Sequence, residues 1–341
     1  MKRDKVADLL KGYACFLVLF GHVIMGVRKC GQVDIPVGAQ TLENVIWSYH
    51  VALFMFVSGY VYRYTGGWER KGSRIKYILY KLLDLGVPYV FFSVIYIAVN
   101  SMVPGVNNKS ELTDILSLYK YPTAQYWFIY ALFFIFVIYI LINSVIKSRI
   151  LVTILLFTVY IALDIASIKA GFLTTTVSTM GYFALGTCFD RLDFTADNNR
   201  GYVKALMILA VILHIGIAWI INLYVPDYNV IIKILLAVLG FAGAVSGMNL
   251  ILKFDILNRI ILFITKYSFP IYLLHTIFTS AVRIALVKLG IDVYLIHIVV
   301  GTAVGLFIPA AAAAICDKIG WAEFVFYPSR TIRKLKSEKK K

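Results

Sequence analysis

Residues 1–27 read MKRDKVADLLKGYACFLVLFGHVIMGV, and the reading of this stretch decides the fold class. A basic start followed by an apolar run has the outline of a secretory leader. No small-residue cleavage site closes the run, and His22 sits inside it, so the stretch reads as a retained first membrane helix. The rest of the chain has the same character. Of its 341 residues 60% are hydrophobic and only 15% charged, and the mean hydropathy is +0.81. A water-soluble domain is roughly 45–50% apolar and about 25% charged, so both departures point to a lipid environment. A bilayer absorbs such a chain because each crossing needs only about 20 predominantly apolar residues.

Ten apolar runs are separated by charged or turn-forming breaks, near 7–27, 42–64, 77–101, 126–145, 150–168, 171–189, 202–224, 229–252, 262–288 and 293–316. The expected fold is therefore an all-α integral membrane protein of about ten transmembrane helices with both termini cytoplasmic. Charge agrees with this alternation. It places 26 of the 34 lysines and arginines on the cytoplasmic side and 8 outside, as the positive-inside rule requires. Residues 1–329 form one polytopic membrane domain. Residues 330–341, ending KLKSEKKK, are expected to be a solvated, disordered basic tail.

The net charge of +16 could suggest nucleic acid, but it lies on one membrane face, where anionic lipid attracts basic segments. The expected partner is the lipid bilayer, with no nucleic acid. The four cysteines (Cys15, Cys30, Cys188 and Cys316) lack paired spacing, so neither a disulfide framework nor a zinc site is indicated.

Ionisable groups at membrane depth cost roughly 2.5–3.5 kcal/mol each on insertion scales and by default mark function. The first helix carries Asp8, Lys11 and His22. Lys11 and His22 are eleven positions apart, about 20° out of phase and about 16 Å along the axis, and Asp8 lies about 40° from the same line. Interfacial anchoring and a satisfied interhelical histidine would explain these residues equally well. The second helix carries His50 and then FMFVSGY, in which Ser58 and Gly59 suit close helix packing. Arg70, Lys71, Arg74, Lys76 and Lys81 follow, a cluster explained by positive-inside charge or by a grip on ligand phosphates. In KYSFPIYLLHTIF, Ser268, Tyr272 and His275 recur at offsets of four and seven on one face, and Pro270 would end or bend a helix there. His214 and His297 lack such company and read as packing or interhelical hydrogen bonds.

Membrane histidines with neighbouring hydroxyls and lysines suit general base chemistry near pH 7. The same residues would also line a transporter cavity. No metal site is indicated: the histidines sit on different helices without HExxH spacing, and neither GxSxG nor a Gly-rich phosphate loop occurs.

These residues together resemble the acyltransferase 3 family of membrane acyltransferases, in its short form without a fused extracytoplasmic domain. The resemblance rests on Lys11 and His22 separated by ten positions, SYHVALFMFVSGY around His50, and Tyr126-Trp127-Phe128. It also rests on Phe183-Ala184-Leu185-Gly186 and on Ser268, Tyr272, Leu273 and His275. It departs at Lys11, where many members carry arginine, and at Asp84, four positions before Pro88, where members often carry a basic residue.

The resemblance implies transfer of an acyl group, usually acetyl, from cytosolic acyl-CoA to a hydroxyl of a cell-surface or lipid-linked glycan. No cofactor would be permanently bound, acyl-CoA being a co-substrate, and the location would be a bacterial cytoplasmic membrane. His22, Lys11, His50 and His275 would be catalytic. Arg74, Lys76, Lys81 and Lys11 would hold the acyl donor. Asp8, Ser58, Trp127, Ser268 and Tyr272 would line the cavity. The competing reading is a non-catalytic transporter or small-ligand-binding module on the same scaffold, which Asp84 favours slightly.

Overall fold

The computed structural model describes residues 4–168, 171–194, 201–225, 227–319 and 322–338. Its helices are α1 (Lys5–Cys30), α2 (Ala39–Trp47), α3 (His50–Tyr64), α4 (Arg74–Lys81), α5 (Val87–Met102), α6 (Trp127–Val145) and α7 (Arg149–Ile165). They continue with α8 (Phe172–Thr187), α9 (Gly201–Tyr224), α10 (Val230–Ile251), α11 (Asp255–Lys266), α12 (Ser268–Lys288), α13 (Tyr294–Cys316) and α14 (Pro328–Glu338). Among the described residues there is no β-strand. Among the described residues, eight helical stretches are long and apolar enough to cross a membrane: 5–30, 39–64, 74–102, 124–145, 201–224, 230–251, 268–288 and 294–316. The chain is therefore an all-α, multi-pass integral membrane protein.

The expected segments at 150–168 and 171–189 are the helices α7 and α8, of 17 and 16 residues. At 1.5 Å per residue each is about 25 Å long, short of the roughly 30 Å hydrocarbon layer. Two expected single spans carry internal breaks. Ser48 and Tyr49 separate α2 from α3, and Tyr267 separates α11 from α12. Pro270 falls in the first turn of α12, where a missing N–H costs nothing, so it follows the break instead of kinking a continuous helix.

The chain divides into two compact units. Unit 1 comprises residues 1–21, 36–67 and 141–268, and unit 2 comprises residues 22–35, 68–140 and 269–341, so α1 contributes to both.

In unit 1, α3 and α8 cross backbone to backbone. A Cβ at Gly59 would collide with the Phe183 carbonyl, and one at Gly186 with the Phe56 carbonyl. Small residues permit such approach where lipid supplies no hydrophobic drive between helices. Gly12 does the same for α1 against Ile261 and Thr265, and the Thr265 hydroxyl donates to the Asp8 carbonyl at 2.6 Å. Arg149 donates to the Thr187 carbonyl at the end of α8 and shares Asp190 with Arg63.

In unit 2, Tyr126 donates to the Leu273 carbonyl at 2.7 Å and Tyr272 to the Gln125 carbonyl, tying α12 to the start of α6. Val23 of α1 packs against Gly301 of α13, where a Cβ would lie 3.0 Å from Val23 Cγ1.

The tail departs from expectation. Residues 328–338 are helical, and residues 339–341 lie outside the described set. Two carboxylates explain the order. Glu323, 1% exposed, pairs with Arg330 at 2.8 Å and with Lys334. Asp84 accepts the Ser329 N–H at 3.0 Å, placing negative charge at the N-terminus of α14. The residue that departs from the family's basic pattern thus acts as a helix cap.

A histidine pair and a buried arginine as the candidate functional site

In unit 2 the second part of α1 presents His22, partly exposed, to α12. The His22 and His275 rings meet edge to face, with centroids 5.0 Å apart and planes at 73°. His275 is fully buried, and its Nδ1 lies 2.9 Å from both the Ile271 and the Tyr272 carbonyl oxygens. Carbonyl oxygens only accept, so Nδ1 carries a proton and donates, which leaves Nε2 as the second ring nitrogen. That Nε2 is buried without a hydrogen-bond partner. Tyr272 lies on the same α12 face, with ring centroids 6.4 Å from His275.

His22 also lines a small cleft of about 20 Å³, with Gly26, Thr279, Ser280, Arg283 and His297 among its other walls. That space accommodates one water-sized group. Arg283 is 5% exposed. Its Nη1 donates to Asn107 Oδ1 at 2.8 Å, and Asn107 Nδ2 donates to the Gly26 carbonyl at 3.0 Å, while Nε is without a partner. His297 is 2% exposed and donates from Nε2 to the Ile291 carbonyl at 2.8 Å. Its Nδ1 is buried and has no partner.

The predicted donor-binding residues Arg74, Lys76 and Lys81 lie on the short helix α4 of the same unit. The Arg74 guanidinium stacks over Trp68 at 4.6 Å, and the Lys81 ammonium sits over Phe136 at 4.0 Å. Aromatic faces hold cations without neutralising them. Lys76 is exposed. Trp127 opens α6, half-buried, edge-on to Phe128.

The other predicted residues belong to unit 1. Lys11 is exposed and Asp8 is half-buried on α1. Ser268 is buried, and its carbonyl accepts from Cys15 Sγ at 3.4 Å. Ser58 is half-buried beside the Gly59 crossing. His50, 2% exposed, donates from Nδ1 to the Ile46 carbonyl at 2.9 Å and meets the Trp47 ring at 4.7 Å. Trp47 walls a second, open cleft of about 330 Å³, with Tyr160, Tyr182, Asn222, Tyr228 and Lys233 among its other walls.

Two groups at the unit 2 site escaped the sequence reading. Arg283 was not singled out, although His275, Thr279 and Arg283 recur at offsets of four and extend the Ser268–Tyr272–His275 stripe. His297 read as a packing histidine, because nothing local to α13 announces its neighbours.

A multi-pass membrane protein with paired histidines beside a buried cation is equipped to move protons and stabilise charge away from bulk water. Residues 5–314, nearly the whole chain, match the acyltransferase 3 family model, described as an acyltransferase domain, and the chain belongs to this family. It is thus a membrane acyltransferase. No curated protein and no solved structure matches it.

Proposed function

We propose that the protein transfers an acyl group, acetyl in the first instance, from acyl-CoA on the cytoplasmic face to a hydroxyl of a cell-surface or lipid-linked glycan. His22 is the general base. The observation that carries this reading is the contact of His22 with the backbone-anchored ring of His275. His275 fixes the orientation of His22, whose ring also faces a cleft that a hydroxyl can enter. As the acceptor oxygen bonds to the thioester carbonyl carbon, His22 takes its proton. When the C–S bond breaks, the departing thiolate recovers a proton from the His22 imidazolium, giving an ester and free CoA.

Arg74, Lys76 and Lys81 supply positive charge for the CoA phosphates on the basic, cytoplasmic side. Asp84, which favoured the transporter reading slightly, is engaged in capping α14. The test is mass spectrometry of surface glycans from cells lacking the gene, complemented with wild type or with His22→Ala. Wild type should restore an ester-linked acyl group, and correctly inserted His22→Ala should not. Restoration by both would eliminate the base.

A further inference from the structure

Arg283 is a permanent cation, buried to 5% exposure, and the partner it has is the neutral amide of Asn107. Buried charges are ordinarily paired, and among the described residues no carboxylate is bonded to it. The Asn107 bridge to the Gly26 carbonyl holds the guanidinium by Nη1. Its Nε is unpartnered and lies 3.9 Å from where a Cβ on Gly26 would stand. Arg283 shares this cleft with His22.

The cleft's volume of about 20 Å³ narrows the chemistry. It has room for a single oxygen-sized group. The missing partner is therefore one anionic oxygen, beside the general base. Acyl transfer creates such an atom. When the acceptor hydroxyl bonds to the thioester carbon and His22 takes the proton, the carbonyl π pair moves onto oxygen and leaves it negative. When the tetrahedral centre collapses, that pair reforms C=O and the C–S bond breaks.

We propose that Arg283, oriented by Asn107, is the electrostatic partner of this oxyanion. The inference rests on His22 as base. A preorganised donor in a water-poor site favours the transition state over the bound substrate, so its removal affects kcat more than KM.

The experiment uses the full chain in detergent or nanodiscs, with acetyl-CoA and succinyl-CoA as donors, comparing Arg283→Gln, Arg283→Lys, Asn107→Ala and His22→Ala. Arg283→Gln should lower kcat about 100- to 1000-fold with both donors, at a KM for donor within about threefold of wild type. Arg283→Lys should recover part of that loss. The pH–rate limb set by the base should stay in place in both. Asn107→Ala, which keeps the cation but frees its hold, should cost about tenfold in kcat and remains informative should Arg283→Gln fail to fold.

An unchanged kcat in folded Arg283→Gln overturns the proposal, as does a raised KM at constant kcat. A loss confined to succinyl-CoA also overturns it, and assigns Arg283 to recognition of an acyl carboxylate. If His22→Ala abolishes turnover while Arg283→Gln does not, the base stands and the oxyanion assignment falls. If His22→Ala is fully active, the base itself is wrong.

Discussion

Replacing Asp84 with alanine removes the acceptor of the Ser329 N–H and the negative charge at the N-terminus of α14. A hydrogen bond to an ionised group contributes about 1.5–3 kcal/mol, and a helix-terminal charge about 0.3–1 kcal/mol more when exposed. Asp84 is partly solvated, so about 2 kcal/mol is a fair total. That corresponds to about a 30-fold loss in the docked-to-undocked ratio of α14, at about 1.4 kcal/mol per factor of ten. Asp84→Asn keeps an acceptor and should cost less than half as much. Asp84→Arg, which introduces the basic residue common in the family, should cost most because it opposes the helix dipole. Amide hydrogen exchange over residues 329–336 reads the ratio directly, since Glu323 still tethers Arg330 and Lys334. Unchanged exchange in Asp84→Ala and Asp84→Arg refutes the cap. Tighter acyl-CoA binding by Asp84→Arg, with α14 still docked, would instead return position 84 to the donor site.

Further outcomes follow from the same geometry. Gly186→Ala should place its methyl group on the Phe56 carbonyl, and backbone cannot yield as a side chain does. The cost should reach the upper part of the roughly 1–3 kcal/mol overpacking range, seen as a lowered Tm in detergent, whereas Gly216→Ala, with open space around it, should be near neutral. The combined Arg74→Ala, Lys76→Ala and Lys81→Ala variant should raise the KM for acyl-CoA by about tenfold or more at nearly constant kcat. Steady-state kinetics at two ionic strengths checks this, because the wild-type advantage should shrink with salt.

The membrane class and the helix positions were legible because apolar runs and the bias of lysine and arginine are local properties of the chain. The stripe Ser268–Tyr272–His275 was legible for the same reason, since a helical period is written in one segment. Its partner was only half legible. The Lys11–His22 spacing marks a face of α1, but which ring that face meets depends on tertiary packing. His297 was missed on that account, being solitary within its own helix, whereas Arg283 extends the α12 stripe by offsets of four and only its burial against Asn107 is a tertiary fact. The break at Tyr267 was suggested by Pro270, yet the proline opens α12 and does not interrupt it. The order of α14 was illegible because it depends on Glu323 and Asp84, one buried and the other about 245 positions away, neither of which marks itself as a helix anchor. Asp84 shows the hazard of reading a departure from a family pattern by chemistry alone, for the substituted residue has a different contact to make.

The most direct measurement is release of free CoA thiol by the purified protein from acetyl-CoA in the presence of a glycan acceptor, comparing wild type with His22→Gln. The account predicts acceptor-dependent thiol release by wild type and a loss of at least about 100-fold in His22→Gln, with folding and donor binding retained. Equal rates from the two proteins would contradict it.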